Sequence, residues 1–326
     1  MTAYATDPFA DWLRLREPAD ADARSGELVD LLRARLTGTG TAAGAGGSGM
    51  PTTAAGGPGT ATGGAAGLSP AGEGGPGMLV AGAGSVTPLR GDRPWVVHDL
   101  GSGTGSMLRW LAPLLPGPQR WVLHDRDPGL LVRAGAAVPV AADGSPVEVT
   151  TRQGDLTRLT AADLADADLV TASALLDMFS AEEITRVVTA CAGVGCPSLF
   201  VLSVVGRVVF DPADPLDAEI AAAFDAHQRR TVDGRDLLGP DAAAATVAEF
   251  GRHGMPVTVR PSPWRLGPDR AALLVEWFDG WCDAAVAQRP ELADRTAAYA
   301  RWRRAEARAG RLTVTVGHDD LLAGVE

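Results

Sequence analysis

The sequence of 326 residues contains no lysine, and all 29 of its basic residues are arginine. This absence excludes a Schiff base on a lysine side chain and the lysine of a phosphate-binding P-loop. The 40 acidic residues outnumber the arginines, which gives a formal net charge of −11 at pH 7. Proteins that bind nucleic acid usually present a basic surface to the phosphates, so the composition argues against a nucleic-acid partner.

Cysteine is scarce as well, with only Cys191, Cys196 and Cys282. An odd number without a regular framework is typical of a reducing compartment. Cys191 and Cys196 could be metal ligands, but no second pair of ligands accompanies them. We therefore predict no metal, and we interpret both as small buried residues around a helix-to-strand turn.

Long apolar runs are also missing. The longest, Leu199 to Val205, is far too short to span a bilayer. The segment from Met1 to Trp12 lacks the basic start and apolar centre of a secretion signal. We expect a cytoplasmic protein without membrane contact.

Large side chains are almost absent from residues 37–78, which hold 16 of the 40 glycines. Such a stretch buries too little apolar surface to offset the entropy of ordering it, so residues 37–92 are predicted to be a flexible Gly/Ala-rich linker. Before it, apolar residues at helical spacing predict an N-terminal helical arm over residues 1–36, made of two helices with a break near Pro18. We expect the arm to act as a lid.

Strand and helix patterns alternate from Trp95 onward, which implies right-handed crossovers and a mainly parallel sheet. The predicted fold of residues 93–326 is α/β, with a Rossmann-like, seven-stranded, mainly parallel sheet and helices on both faces. The last strand, at Arg311–Val316, alternates apolar and polar residues as an edge strand does. Residues 206–240 and 268–310 are expected to be insertions that form lid or substrate contacts.

The most informative segment follows the first predicted strand and reads Asp-Leu-Gly-Ser-Gly-Thr-Gly over residues 99–105. Glycines at this position let the backbone approach a ligand closely. The spacing is G-x-G-x-G and is followed by Ser106, so the dinucleotide pattern G-x-G-x-x-G is not met. An acid also stands two residues before the first glycine.

Three further segments follow in order within about 80 residues of Asp99. They are Asp-Arg-Asp-Pro at 125–128, Gly-Asp-Leu at 154–156, and the run from Asp168 to Asp177. Together the four segments resemble the motifs of class I S-adenosylmethionine-dependent methyltransferases. Residues 93–326 would then be the methyltransferase domain.

The resemblance implies S-adenosylmethionine as the cofactor. It places the ribose hydroxyls on Asp125, adenine beside Asp155, and the methionine part along the fourth segment. An acidic pocket suits a ligand that carries a sulfonium and an ammonium group. The cofactor-binding residues that it implies are Asp99, Gly101, Ser102, Gly103, Gly105, Asp125, Arg126, Asp155, Leu156 and Ser173.

Methyl transfer is an in-line displacement, which needs a well-positioned acceptor rather than a covalent nucleophile. A base helps when the acceptor is a hydroxyl or a protonated amine. His227 is the preferred base because its segment leaves the carboxyl end of the fifth strand, and Asp177 is the second catalytic candidate. For His227 the alternative is an exposed helix residue, and the role of Asp177 stays open.

The other four histidines are not interpreted as catalytic bases. His98 and His124 precede motif aspartates inside strands and are interpreted as hydrogen-bonded core groups. His253 and His318 are interpreted as peripheral.

The substrate-binding candidates are the aromatic residues Trp264, Trp277 and Trp281. Trp277 and Trp281 are four residues apart and therefore share a helix face. They could form an aromatic wall for a flat or apolar acceptor, or they could attach the insertion to the domain.

The function predicted from these features is methyl transfer to a small-molecule acceptor. One alternative keeps the fold without the reaction, as a non-catalytic module that binds the cofactor or a partner. Another keeps the reaction but uses a macromolecular acceptor. A nicotinamide-dependent oxidoreductase is disfavoured by Ser106 and by the acid before the glycines. The acceptor atom and the oligomeric state are not indicated.

Overall fold

The computed structural model describes residues 7–38 and 93–325. The first range forms two helices, α1 (Pro8–Ala23) and α2 (Gly26–Thr37). Apart from its first two residues, the predicted linker lies outside the described residues.

The break between the two helices was predicted near Pro18, and this was wrong because Pro18 lies inside α1. The break is at Arg24 and Ser25. The Ser25 hydroxyl accepts a hydrogen bond from the N–H of Leu28, which caps the start of the second helix.

Residues 93–325 form ten strands and seven helices of the α type. The strands are β1 (Trp95–Leu100), β2 (Gln119–Asp125), β3 (Val147–Gln153), β4 (Leu169–Ser173), β5 (Ser198–Asp211), β6 (Thr231–Val232), β7 (Arg235–Asp236), β8 (Val257–Pro261), β9 (Trp264–Leu266) and β10 (Thr313–Ala323). The helices are α3 (Ser106–Leu111), α4 (Pro128–Ala134), α5 (Ala181–Val194), α6 (Asp217–Gln228), α7 (Ala242–Arg252), α8 (Ala271–Gln288) and α9 (Ala293–Arg308).

The main sheet has the strand order β3-β2-β1-β4-β5-β10-β8, and β9 pairs with β10. Strands β1 to β5 pair in parallel, whereas β10 is antiparallel to both of its neighbours. The predicted Rossmann-like, mainly parallel sheet is confirmed. Its chain order reverses between β1 and β4, so ligands are expected above the carboxyl ends of these strands.

The prediction that the last strand lies at the edge was wrong. Strand β10 lies between β5 and β8, and it continues beyond Val316 to Ala323. Two register shifts interrupt its pairing with β5, after Val316 and after Asp319. The apolar alternation is lost at these shifts, so the sequence pattern stops before the strand does.

Helices cover both faces of the sheet, and alternate strand residues face two separate cores. Leu199 and Val201 belong to the core that includes the arm, α3, α6, α8 and α9. Val170 and Phe200 belong to the other core, with α5 and α7. Among the described residues, no helix is both long and apolar enough to cross a bilayer.

The first core also joins the two predicted insertions. Helix α6 of the segment 206–240 packs on α8 of the segment 268–310. The sequence suggested a helix at α6 only as the alternative for His227, because the alanines and acids of this segment leave a weak apolar stripe. The arm packs against the same side of the sheet, with Leu28 and Leu32 fully buried.

Candidate active site

The glycine-rich turn after β1 depends on three left-handed glycines. Gly101, Gly103 and Gly105 have φ angles of 64°, 53° and 84°, a region that other residues rarely adopt. The N–H of Gly103 donates to Asp125 Oδ2 at 2.9 Å, and the N–H of Ser102 donates to the carbonyl of His124 at the same distance. These bonds hold the turn against the carboxyl end of β2.

Asp99, at the end of β1, is buried, and one of its two carboxylate oxygens is unsatisfied. Thr171 donates its hydroxyl to Oδ1 at 2.7 Å, while Oδ2 has no hydrogen-bond partner among the described residues. Burial raises the pKa of Asp99 to about 7, although the bond from Thr171 opposes that shift. The buried hydroxyl of Ser102 also has no partner in this part of the chain. Such orphaned polar atoms fit a polar ligand.

The turns after β2 and β3 meet at the same edge. The carbonyl of Asp125 accepts from the N–H of Gly154 at 3.0 Å, which places Asp155 beside the end of β2. Asp155 is exposed, and a bond from Thr157 lowers its pKa. Leu156 packs partly against the second core, and Arg126 is exposed.

The arm contacts the carboxyl end of β4. Ser173 Oγ accepts a hydrogen bond at 3.0 Å from Arg24, which lies between α1 and α2. The arm is fixed at this edge by further contacts. Arg109 of α3 makes two bonds of 2.7 Å to Glu17, and Arg260 of β8 makes two to Glu27.

A cavity of about 160 Å³ lies between the arm, the carboxyl end of β4 and the middle of β5. We call it the aromatic cavity. Its aromatic and titratable lining residues are Trp12, Arg16, Asp177, Arg207, Phe224, Asp225, Trp264, Trp277 and His318.

Asp177 lines the aromatic cavity, three residues beyond Ala174, another lining residue. No hydrogen bond to its side chain from another described residue is found, and burial raises its pKa to about 6. A carboxylate with a raised pKa in a cavity is a good candidate for a general base near neutral pH.

His318 lines the aromatic cavity too, so the interpretation of this residue as peripheral was wrong. It lies on β10 and its ring is 5.2 Å from that of Trp264. Burial and the nearby charge of Arg16 lower its pKa to about 3, so its ring is neutral. Its Nδ1 is buried without a partner among the described residues.

His227 does not line the aromatic cavity, although the next residue, Gln228, does. It is half-buried on α6, and burial together with Arg230 lowers its pKa. The structure therefore brings Asp177, rather than His227, into the aromatic cavity.

The three tryptophans take different positions. Trp264 and Trp277 line the aromatic cavity, whereas Trp281 is 1% exposed and packs in the core behind them. The rings of Trp277 and Trp281 are stacked, with centroids 5.8 Å apart. One helix face thus supplies both a lining residue and a residue that attaches α8 to the domain.

The arm residues of the cavity and His318 were missed at the level of sequence. Trp12 and Arg16 are more than 150 residues away in the chain from the strands that they approach. His318 had one usable signal, because it lies in a polar triplet, His-Asp-Asp, between apolar residues.

The remaining assignments of histidine and cysteine are confirmed. His98 and His124 are buried, and His98 Nδ1 lies 3.0 Å from His124 Nε2. Cys191 and Cys196 are buried free thiols at the turn from α5 to β5.

Residues 97–197, which hold the glycine-rich turn and the following motifs, match a family model described as a methyltransferase domain. The chain thus contains a segment that is similar to a methyltransferase domain. A search of curated protein sequences finds no match.

Three of the similar solved structures share a low sequence identity with this chain. The YcgJ protein of Bacillus subtilis is 14% identical, with a TM-score of 0.42, over 72% of this chain and 92% of that one. The cyclopropane synthase MmaA2 of Mycobacterium tuberculosis is 12% identical, with a TM-score of 0.39, over 71% and 78%. A methyltransferase of Geobacter sulfurreducens in complex with S-adenosyl-L-homocysteine is 16% identical, with a TM-score of 0.33, over 72% and 85%.

Proposed function

We propose that this methyltransferase acts on a small molecule bound in the aromatic cavity, and that Asp177 removes a proton from the hydroxyl or amine that is methylated. The observation that carries this proposal is the position of the cavity. The lining residue Ala174 directly follows Ser173, which ends β4 beside the glycine-rich turn, and Asp177 lies three residues further along the chain.

The residues around the glycine-rich turn fit the cofactor. Asp125 would accept from the ribose hydroxyls, because a carboxylate accepts well from a vicinal diol. Asp155 and Leu156 would contact adenine. The unsatisfied Oδ2 of Asp99 and the free hydroxyl of Ser102 offer hydrogen-bond partners for the polar methionine part. When bound, S-adenosylmethionine supplies an electrophilic methyl group.

The aromatic cavity supports an acceptor that is compact and partly flat. Trp12, Trp264, Trp277 and Phe224 provide apolar walls that hold such a molecule and exclude water. Asp177 and Asp225 both line the cavity, and burial raises the pKa of each carboxyl. Two carboxyls among aromatic rings favour an amine or a hydroxyl over a carboxylate as the group that faces them.

The role of Asp177 follows from its surroundings. Burial is the largest influence on its pKa and outweighs the opposing charges of Arg16 and Arg230, and Arg16 is itself paired with Asp20. A proton from the acceptor can therefore be taken up by Asp177 at neutral pH, where the carboxyl is mainly ionised. His318, being neutral with a free Nδ1, is available to hydrogen-bond the acceptor.

The test is a screen of small phenols, alcohols and amines with pure protein and S-adenosylmethionine, followed by variants on one good acceptor. Trp277→Ala removes a cavity wall and is expected to raise KM at least about 10-fold. The matched control is Trp302→Ala on α9, a residue that is 37% exposed and absent from the cavity lining. If no acceptor turns over while the cofactor binds tightly, the protein is a non-catalytic cofactor-binding module.

A further inference from the structure

Arg24 is the most deeply buried cation that the arm brings to the methyltransferase site. Its side chain donates to Ser106 Oγ at 2.7 Å, to the Ser106 carbonyl at 3.3 Å and to Ser173 Oγ at 3.0 Å. The residue is 5% exposed. Ser106 follows the glycine-rich turn and Ser173 ends β4, so the guanidinium bridges the two segments.

This buried charge makes no contact ion pair in the described chain, and the carboxylates of Asp20, Asp99 and Asp320 act on it only from beyond contact distance. Among residues 7–38 and 93–325, no carboxylate lies within 4.0 Å of Arg24, and its Nε–H has no hydrogen-bond acceptor. Arg16 of α1, by contrast, forms an ion pair with Asp20, as buried cations usually do. Burial lowers the pKa of Arg24 in spite of these acids, so a guanidinium without a contacting counter-ion fits an anion supplied by a ligand.

The neighbouring orphaned atoms define what sort of ligand that would be. Asp99, whose charge acts on Arg24, has an unsatisfied Oδ2, and the hydroxyl of Ser102 is also unpaired in the described chain. An acceptor for an ammonium group therefore lies near a donor for a carboxylate. An α-amino acid group carries these two charges on one carbon atom.

We propose that Arg24 binds the carboxylate of the methionine part of S-adenosylmethionine, with Nε as the free donor, while Asp99 accepts from the α-ammonium group. The arm is then a part of the cofactor site as well as a wall of the aromatic cavity, which it lines with Trp12 and Arg16. Binding of the cofactor holds the arm in its docked position. The proposal depends on the cofactor and not on the identity of the acceptor.

The experiment measures binding rather than turnover. Calorimetry with the full chain compares S-adenosylhomocysteine with its decarboxylated analogue, S-adenosyl-3-thiopropylamine, which keeps the ammonium group. Arg24→Gln is expected to weaken binding of S-adenosylhomocysteine by about 10–100-fold, as expected for the loss of hydrogen bonds to a charged group. Its affinity for the decarboxylated analogue should stay the same or increase, because a repelling cation is removed.

Two controls separate carboxylate binding from docking of the arm. Asp22→Asn removes the ion pair with Arg270 at the exposed side of the arm, where the Asp22 side chain is 73% exposed. It should change both affinities equally, if at all. Arg24→Lys should restore part of the preference for S-adenosylhomocysteine, since it keeps the charge but loses the planar donor set.

The proposal is overturned if Arg24→Gln weakens both ligands by the same factor, which would indicate a purely structural role. Equal affinities of the native protein for S-adenosylhomocysteine and its decarboxylated analogue would also overturn the proposal. This comparison needs no variant and therefore does not depend on how a variant folds. Tight, carboxylate-dependent binding without turnover of any acceptor would leave this proposal intact and reject the proposed function.

Discussion

The backbone N–H of Ser25 donates a 2.7 Å hydrogen bond to the buried carboxylate of Asp320. The same carboxylate accepts from the N–H of Leu202 at 2.8 Å and from the hydroxyl of Ser262 at 2.5 Å. One side chain on β10 thus holds three segments together: the turn between the two arm helices, strand β5 and the residues that follow β8. Leu202 lines the aromatic cavity with a φ angle of 57°, so Asp320 also supports a strained residue of its wall.

Replacing Asp320 by Ala should destabilise the protein strongly. Each of the three buried donors would lose its acceptor, at a cost of about 1–3 kcal/mol per group. Urea unfolding should therefore show a loss of several kcal/mol in the free energy of unfolding. Asp319→Ala, the half-buried neighbour on the same strand, is the control and should have a much smaller effect.

Replacing Gly103 by Ala should impair cofactor binding beyond its cost in stability. A left-handed φ of 53° costs an alanine about 1–2 kcal/mol, and the new Cβ would lie 3.2 Å from Leu13 Cδ1 of the arm. The shifted N–H would also lose its bond to Asp125. We expect calorimetry to show at least about 10-fold weaker binding of S-adenosylhomocysteine.

The matched control for this glycine is Gly144. It has a φ of 82° and no atom within 4 Å of an added Cβ, so Gly144→Ala carries a similar backbone cost away from the site. It should lower the thermal midpoint without changing the affinity. Equal loss of affinity in both variants would mean that stability alone, and not the geometry of the turn, governs binding.

Turnover should depend on ionisation of Asp177. Since burial raises the pKa of this carboxyl to about 6, it is protonated below that pH and cannot accept a proton. At saturating cofactor and acceptor, kcat should rise about tenfold per pH unit below pH 6 and level off above it. Asp177→Asn should lower kcat by about 10²–10⁴ and remove this rise.

Asp225→Asn tests whether the second carboxyl of the aromatic cavity is responsible instead. It should keep the rise in kcat near pH 6. If Asp225→Asn abolishes the rise and Asp177→Asn retains it, the base has been assigned to the wrong residue.

The sequence predicted which residues surround the glycine-rich turn far better than which residues line the aromatic cavity. Asp99, the glycines and Asp125 are close in the chain and follow adjacent strands, so local pattern and strand order were enough to bring them together. The aromatic cavity is different, because Trp12, Asp177, Trp277 and His318 come from four distant segments. Their meeting depends on packing between the arm and the insertions, which has no local periodicity. Arg24 was missed for the same reason, since its partners Ser106 and Ser173 are 82 and 149 residues away.

The pair of buried histidines should make stability depend on pH. His98 Nε2 lies 3.0 Å from Asp166 Oδ1 and donates to that carboxylate, which leaves His98 Nδ1 to accept from His124 Nε2. Burial, together with His98, lowers the pKa of His124 to about 4 in the folded protein. The unfolded chain, with an ordinary histidine pKa of about 6.5, binds the proton more tightly. The contribution of His124 is therefore complete above pH 6.5 and is lost as the pH falls towards 4.

His124→Gln should remove this dependence while keeping an amide donor for His98. Between pH 6.5 and 4, the free energy of unfolding of the native protein should fall more steeply than that of the variant, by up to about 1.4 kcal/mol per pH unit. Urea unfolding at several pH values measures the difference in the free energy of unfolding between the two proteins. Asp99 and Asp177, whose raised pKa values change stability with pH in the opposite direction, are present in both proteins, so their contributions cancel. Parallel curves for the native protein and His124→Gln would show that His124 is protonated equally in the folded and unfolded states.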